Sequence, residues 1–517
     1  ETRSNLKYKI QHGSFNTTGM SLSGTSAKNK TYIWGNLSHL GSDGFRENND
    51  YSRNSGISTI RWEHPAWSLN STLMLTDVRA GIPSSIGKTQ LETAPRTAAS
   101  NWLAVKGYKK YTKAIGALSF KHNTSDIISG EAVVFGKWNN DYERRPFNNL
   151  DDMSSGGGFR YEFSLQPGNL QWTSGTEIIY EEYTWKLDKD NTIINHNSEK
   201  RNQYSFFTNL TYRISALSLS AATALNYISY SLVDRFPADG DQSGKHRFDP
   251  VFSPRLGANY KVSEHLSVYA SAGHGFSMPS TEETLLPEGL INNNIKPEKG
   301  FQYESGVRIG SGTSRFEADA AVYLIDLNNL LVTKRLSEDI FTGINAGKTR
   351  HYGLELQLRA DVFASNRFPG KITSSASYTW SRNRFVDFND DGTVYDGRYL
   401  PGIPDQVLNA GLNWLPFKSI TISPQIQYTG FQYLTDDNSL KYPGYLIFSV
   451  RASSVFSLKG SRMTAFAGIN NLTGTEYASM VVVNALPPPN GEPRYYYPGM
   501  PWNFYFGLSL TAKELRN

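Results

Sequence analysis

The sequence predicts an all-β fold: a transmembrane, antiparallel, up-and-down β-barrel of about 22 strands, with short turns at one end and long loops at the other. Three observations carry this. Apolar and polar residues alternate with period two in segment after segment. The connections between those segments alternate between short and long. Aromatic residues make up 13% of the 517 residues although hydrophobic residues make up only 38%, a balance suited to strands that meet both apolar and wet surroundings.

The alternation is legible strand by strand. Leu217, Leu219, Ala221, Leu225 and Tyr227 alternate with Ser218, Ser220, Ala222, Ala224 and Asn226. Phe316, Ala318, Ala320, Val322 and Leu324 alternate with Arg315, Glu317, Asp319 and Tyr323. Leu354, Leu356 and Leu358 take turns with Glu355, Gln357 and Arg359, and Ile420, Ile422 and Ile426 with Thr421, Ser423, Gln425 and Gln427. The last such segment sets Trp502, Phe504, Phe506, Leu508 and Leu510 against Asn503, Tyr505, Gly507 and Ser509. No amphipathic helix longer than two or three turns stands out.

The connections give the count. Short ones include S-A-K-N-K (26–30), H-P-A-W (64–67), N-T-S-D (123–126), Q-P-G-N (166–169) and V-S-E-H (262–265). Longer ones fall near 36–54, 79–111, 139–157, 184–202, 233–250, 274–300, 336–346, 382–405, 430–444 and 473–500. With a further tight turn at 12–15, about 21 connections join about 22 strands. In hydrocarbon every backbone N–H and C=O must be paired, and only a closed sheet leaves no edge. Strand-end aromatics such as Tyr227, Tyr230, Trp380, Tyr428 and Trp502 are expected to form interfacial girdles. A soluble propeller or tandem sandwiches would alternate too, but would show a repeat of roughly 40–50 residues or Greek-key spacing, and none stands out.

Composition narrows the function classes. A net charge of +5 is small for this length, so nucleic-acid binding has no support. Cysteine is absent, which excludes disulfides and thiolate metal sites. No apolar run reaches the roughly 18 residues of a transmembrane helix, and the N-terminal E-T-R-S-N-L-K-Y-K-I lacks the pattern of a signal peptide. The mean hydropathy of -0.46 fits a barrel, in which only alternate residues face lipid. Nothing resembles a catalytic triad, a zinc H-E-x-x-H or a phosphate-cradling glycine loop, so an enzyme is not expected. The acidic runs D-F-N-D-D-G (387–392) and D-D-N (436–438) resemble part of a calcium loop but lack the bidentate Glu, and read first as solvated loop, with calcium as the weaker alternative.

Family motifs sharpen the picture. G-H-G-F-S-M-P-S-T-E-E followed by I-K-P-E-K-G-F-Q-Y-E-S-G-V-R, between His265 and Arg308, resembles the TonB-dependent outer-membrane receptor family. So do D-L-N-N-L-L-V-T-K-R (326–335), N-A-G-K-T-R-H-Y-G-L-E-L-Q-L (345–358), L-P-G-I-P (400–404), G-I-N-N-L-T-G-T-E-Y (468–477) and R-Y-Y-Y-P-G-M-P-W-N-F-Y-F-G-L-S-L (494–510). The pieces lie in family order and span 1–517 as one barrel domain. The style is nearest to ferric-citrate and siderophore receptors, including A-G-I-P-S-S-I (80–86) and T-A-P-R-T-A-A-S-N-W (93–102).

The resemblance implies a barrel in the Gram-negative outer membrane, with periplasmic turns and extracellular loops, in contact with lipid and lipopolysaccharide. It also implies TonB-energised uptake of a scarce nutrient, chiefly a ferric siderophore or other iron complex. Haem, cobalamin, a glycan or passive porin-like diffusion are the alternatives. The iron complex is cargo, and no intrinsic cofactor is implied. Family members carry an N-terminal plug and a TonB-contacting box, through which the TonB–ExbB–ExbD complex acts. Neither is seen ahead of the first strand here, so the plug is expected as a separate or removed segment. A surface lipoprotein is a further partner to consider.

Ligand contacts should come from loops and the lumen wall near them. The candidates are Arg96 and Trp102 in the 79–111 connection, Arg144 and Arg145 in D-Y-E-R-R-P-F, His274, Tyr433, Arg494 and Tyr495, with Tyr496 and Tyr497 beside the last. Paired guanidinium forks suit a polyanionic ferric complex, and aromatics would cover a chelator's apolar faces. Each has a plainer role: the arginines as loop charges, the tyrosine run as loop packing, His274 as a hydrogen-bonded turn residue rather than a haem ligand. The stretch from Met278 to Asn294 is a candidate lid over the mouth.

Overall fold

The computed structural model describes residues 5–513 apart from 237, 239, 242, 280–294, 311–313, 337–340, 363–369, 391, 459 and 489–490. Each long strand pairs antiparallel with the next in sequence, and the ring closes where Asn5–Gly13 pairs with Asn503–Lys513, in register from Asn5↔Lys513 to Gly13↔Tyr505. The main sheet holds 23 strands, one of which, the four-residue Gly244–Arg247, lies only against Leu217–Asp234. Twenty-two strands therefore form the barrel, as the connections predicted. Two short helices, Lys88–Thr93 and Ser100–Val105, lie in one loop.

Closure satisfies the backbone, and the pleat then sorts the side chains. Large apolar residues point away from the lumen and are open to their surroundings: Leu37 is 64% exposed, Leu256 62% and Phe206 57%. In water such a surface would be unfavourable, whereas in hydrocarbon each such side chain gains about 1.5–3 kcal/mol. The barrel wall has no protein core of its own. Buried apolar residues gather instead at the loop end, in clusters such as Leu434, Tyr442, Ala478, Tyr495 and Tyr496, and Ala346, Phe385, Phe388 and Leu400.

Turn geometry fixes the register. Asn29 and Lys30, both at positive φ (53° and 74°), make the two-residue connection between Thr17–Lys28 and Thr31–Ser42, the backbone of a tight hairpin turn. Asp190 and Asn191 (51° and 62°) do the same at the opposite end.

That last turn overturns an expectation. The sequence predicts a long connection over 184–202, yet Leu170–Lys189 and Thr192–Ile214 are separated by only two residues. Similarly, Ile128–Arg144 and Asn149–Leu165 leave only 145–148 for the loop expected over 139–157, and Phe316–Arg335 and Phe341–Val362 absorb most of 336–346. These strands are 17–23 residues long, whereas about 9–11 cross a bilayer. Beyond the hydrocarbon no lipid selects an apolar face, so alternation fades while backbone pairing continues. Tyr230 also departs from expectation. It is 2% exposed and packs with Ile228 and Phe248 inside the loop end, whereas Tyr227 and Trp502 are exposed as girdle residues should be.

Candidate functional site

The loop end carries a roof built from five connections, and hydrogen bonds join each to its neighbour. The connection 43–50 supports 82–107 from below. Arg46 is 6% exposed. Its Nη1 donates to the Ser84 carbonyl (2.8 Å), and its Nη2 and Nε donate to the Thr97 carbonyl (2.8 and 3.3 Å). Burial lowers its pKa to about 10. Asn48 Nδ2 donates to the carbonyls of Ile82 (2.9 Å) and Gly107 (2.8 Å), and Glu47 Oε2 accepts from the Ala98 N–H (3.2 Å).

The connection 82–107 then joins 471–502. Ile86 and Tyr496 exchange backbone hydrogen bonds (2.8 and 3.1 Å). Glu492 Oε1 accepts from the Thr89 N–H (2.8 Å) in the first turn of Lys88–Thr93, where an anionic group is favoured by the helix dipole. A Cβ at Gly87 would meet the Glu492 side chain, so a larger residue there would displace that carboxylate. Further on, the Asn484 N–H donates to the Leu434 carbonyl (2.8 Å) and the Gly402 N–H to the Tyr433 carbonyl (2.7 Å), which ties in 430–444 and 388–405.

Five of the eight sequence candidates fall in this roof, and a sixth, Arg144, ends the strand Ile128–Arg144. Arg96 is exposed, with Nε donating to the Phe45 carbonyl (3.0 Å). Trp102 is 7% exposed, packed so that a side chain at Gly107 would strike its ring and meet the Arg144 carbonyl; its indole therefore shapes the loop. Arg494 Nη1 donates to Asn101 Oδ1 (2.9 Å), next to Trp102. Arg144 is exposed. Tyr495 lies in the buried cluster with Leu434, Tyr442 and Tyr496, and burial raises the pKa of both Tyr442 and Tyr496. Tyr433 stacks on Tyr399 (5.5 Å), whose ring carries the Arg384 guanidinium at 4.5 Å.

Arg145 sits beside Arg144 with its guanidinium over Phe147 (5.1 Å). His274 stands apart. It shares the face of Val268, Ala270 and Ala272, and its ring meets Phe301, itself exposed on the lipid side, edge-on at 5.1 Å. The Met278 to Asn294 lid lies outside the described residues from position 280 onward; Pro279 accepts from Arg201 Nη1 (3.0 Å) beside the Arg201–Glu199 ion pair (2.9 Å).

The acidic runs hold loops together. Asp390 pairs with Lys334 (2.8 Å), Asp436 Oδ2 accepts from Asn484 Nδ2 (2.8 Å), and Asp437 Oδ1 accepts from Ser439 (2.8 Å). Among the described residues no group of three or more His, Asp or Glu could hold a metal ion. Arg46, Asn48, Glu492 and Tyr399 were missed in the sequence. Their partners lie from 15 to 403 residues away, and no local pattern marks them.

The comparisons with known proteins agree with this architecture. A family model described as "TonB dependent receptor-like, beta-barrel" matches residues 4–472. The chain is 27% identical over 240 residues to the ferrichrome outer membrane transporter/phage receptor of Escherichia coli (strain K12), covering 45% of this chain and 30% of that protein. It is 26% identical over 245 residues to the ferrioxamine receptor of Yersinia enterocolitica, covering 46% and 31%. The match thus spans under a third of these relatives' length. Among solved structures, the ferric citrate transporter FecA superposes with a TM-score of 0.82 at 14% identity, covering 98% of this chain and 78% of that one. The copper transporter OprC reaches 0.78 at 15%, covering 98% and 80%; likenesses at this identity speak for the fold alone. The family match covers most of a closed 22-stranded barrel, and the chain therefore belongs to the TonB-dependent receptor β-barrel family, whose members reside in the outer membrane of Gram-negative bacteria.

Proposed function

We propose that this barrel belongs to a receptor that takes up a ferric siderophore or another iron complex, energised by TonB–ExbB–ExbD acting on a plug domain. The observation that carries the reading is the roof. Five connections locked to one another hold Arg96, Arg494 and Tyr433, with Arg144 at the end of the strand Ile128–Arg144, at the mouth of a lumen that a ring of 22 strands leaves too wide for its own side chains to fill. A rigid basic and aromatic rim can bind a bulky anionic chelate without ordering loops on each encounter. The curated relatives named for ferrichrome and ferrioxamine support the same cargo class. Outer-membrane lipid and lipopolysaccharide would surround the apolar band.

Growth tests this. A strain lacking the gene, starved of iron, is supplied with ferric citrate, ferrichrome or ferrioxamine. The account expects loss of growth on at least one of them and recovery with the full-length gene. Equal growth on all three would overturn it. Steady conductance by the full-length protein in a planar bilayer would favour a passive porin instead.

A further inference from the structure

Ion pairs are unevenly spread over the lumen wall: one group lies on five consecutive strands, another on the strands from Glu298–Ile309 to Lys371–Asp387, as Arg308–Asp319, Arg359–Glu317 and Lys371–Asp361. On the five strands from Tyr108–Ser125 to Thr192–Ile214, the side chains facing the lumen form a lattice of ion pairs. Lys109 bonds Asp141 (2.9 Å) and approaches Glu143 (3.6 Å), Arg160 bridges Glu162 (3.1 Å) and Glu177 (3.7 Å), Lys137 pairs with Glu181, and Arg201 pairs with Glu199 (2.9 Å).

Part of the remaining wall has a different character. The strands Gln406–Phe417 and Ile420–Thr429 contain no charged residue at all. With their neighbours they set two in-register rows rich in hydroxyl and amide groups toward the lumen; Ile447 ends the first, opposite Gln427, and Arg451 stands beyond the second, opposite Ser423. Register aligns Ser377 with Asn409 and Asn409 with Gln427 in one row, and Ser375 with Gly411, Gln425 and Ser449 in the next. The serines and the glycine among them are small, and the wall is hollowed there into a concavity of about 770 Å3. On the side of the preceding strands it is lined by Arg308, Glu317, Asp319 and Arg359, which pair with one another as Arg308–Asp319 (2.6 Å) and Arg359–Glu317 (3.6 Å).

Resting on the iron-uptake reading above, we propose that this uncharged sector is the lane along which the iron complex crosses the barrel once the plug moves. A complex sliding past an ion-pair lattice would have to exchange with charge-assisted bonds, roughly twice as strong as neutral ones. Each such exchange is a trap. Hydroxyl and amide rungs offer neutral hydrogen bonds of similar strength at each level, so a cargo whose outer surface donates and accepts hydrogen bonds moves between equivalent positions. The hollow supplies the room. The lane thus favours complexes that present hydroxyl, amide or hydroxamate oxygens over bare multiply charged ones.

These 517 residues hold no cysteine, so with any cysteine elsewhere in the receptor replaced by serine, single thiols report single positions. In the full-length receptor in energised cells, Ser377→Cys and Gln427→Cys are made in the lane. Val133→Cys is made on the charged wall, where Val133 lies in register with Ser119 and Arg160. Each is treated with sulfonatoethyl methanethiosulfonate, which adds a bulky anion that a reductant removes again. Radio-iron carried by ferrichrome, ferrioxamine and ferric citrate in turn is followed as surface binding and as uptake. The lane predicts that modification at positions 377 and 427 lowers uptake about tenfold, leaves surface binding within about twofold, and is reversed by reductant, while Val133→Cys transports normally throughout. Normal uptake by the modified lane variants, lane thiols that never react during transport, or an equal loss at position 133 would each overturn it. If the unsubstituted receptor takes up none of the three complexes, the iron reading itself fails, and the lane with it.

Discussion

Replacing Arg46 with Ala tests how the roof is held. Its guanidinium is almost fully buried, and all three of its hydrogen bonds end on two backbone carbonyls, Ser84 and Thr97, both in the 82–107 connection. Removing it strands two buried acceptors at about 1–3 kcal/mol each. Some of that is recovered if water enters, so a loss of about 3 kcal/mol is a reasonable centre. The loss falls on the docking of one connection, because no barrel strand depends on Arg46. At 1.4 kcal/mol per factor of ten, opening of 82–107 should rise about a hundredfold. Amide hydrogen exchange in detergent or nanodiscs reads this directly: amides bonded within the connection, such as those of Leu91 and Leu103, lose about two decades of protection, while strand amides in Thr31–Ser42 do not change. Arg46→Lys should rescue little, since one ammonium cannot match the planar fork. Protection in 82–107 within about threefold of the parent would refute the clamp.

Three further outcomes follow from other parts of the molecule. Burial pushes the Asp436 carboxyl up, and Asp390 and Asp437 add to this while the Asn484 hydrogen bond opposes it. Its folded form therefore holds the proton more tightly than the unfolded chain does, so docking of 430–444 is strongest at acidic pH and weakens as pH rises through the raised value. Asp436→Asn should abolish that dependence, read as exchange of the Asn484 amide from acidic to neutral pH. Leu37→Arg, placed on the lipid face, should cost about 2–4 kcal/mol in folding into vesicles, whereas Ser38→Arg on the lumen face should cost much less. Arg494→Ala should weaken binding of the iron complex about tenfold or more without changing the heat-modifiable migration of the barrel, since charged hydrogen bonds contribute about 1.5–3 kcal/mol.

Legibility in the sequence followed the bilayer. Where lipid selects one face, as from Trp502 to Leu510, alternation marks the strand and its orientation together. Beyond the hydrocarbon the same backbone pairing persists without that selection, so the hairpin tip at Asp190 and Asn191 looked like a loop. Tyr230 has the composition of a girdle residue, but the phase of its strand turns it inward, beneath Phe248. His274 has the chemistry of a ligand-binding residue, and its place in the alternation sends it to the lipid side. The roof candidates were found because arginines and tyrosines cluster in long connections. What joins them was not legible: the Ile86–Tyr496 bridge spans most of the chain, and the Arg46 clamp consists of a side chain and carbonyls with no sequence mark of their own.

Accumulation of radio-iron in intact cells tests the central claim most directly. Cells carrying the full-length gene, and otherwise identical cells lacking TonB, are supplied with the iron complex that supports growth. The account predicts surface binding in both and accumulation only where TonB is present. Equal accumulation without TonB would contradict it and leave a passive channel.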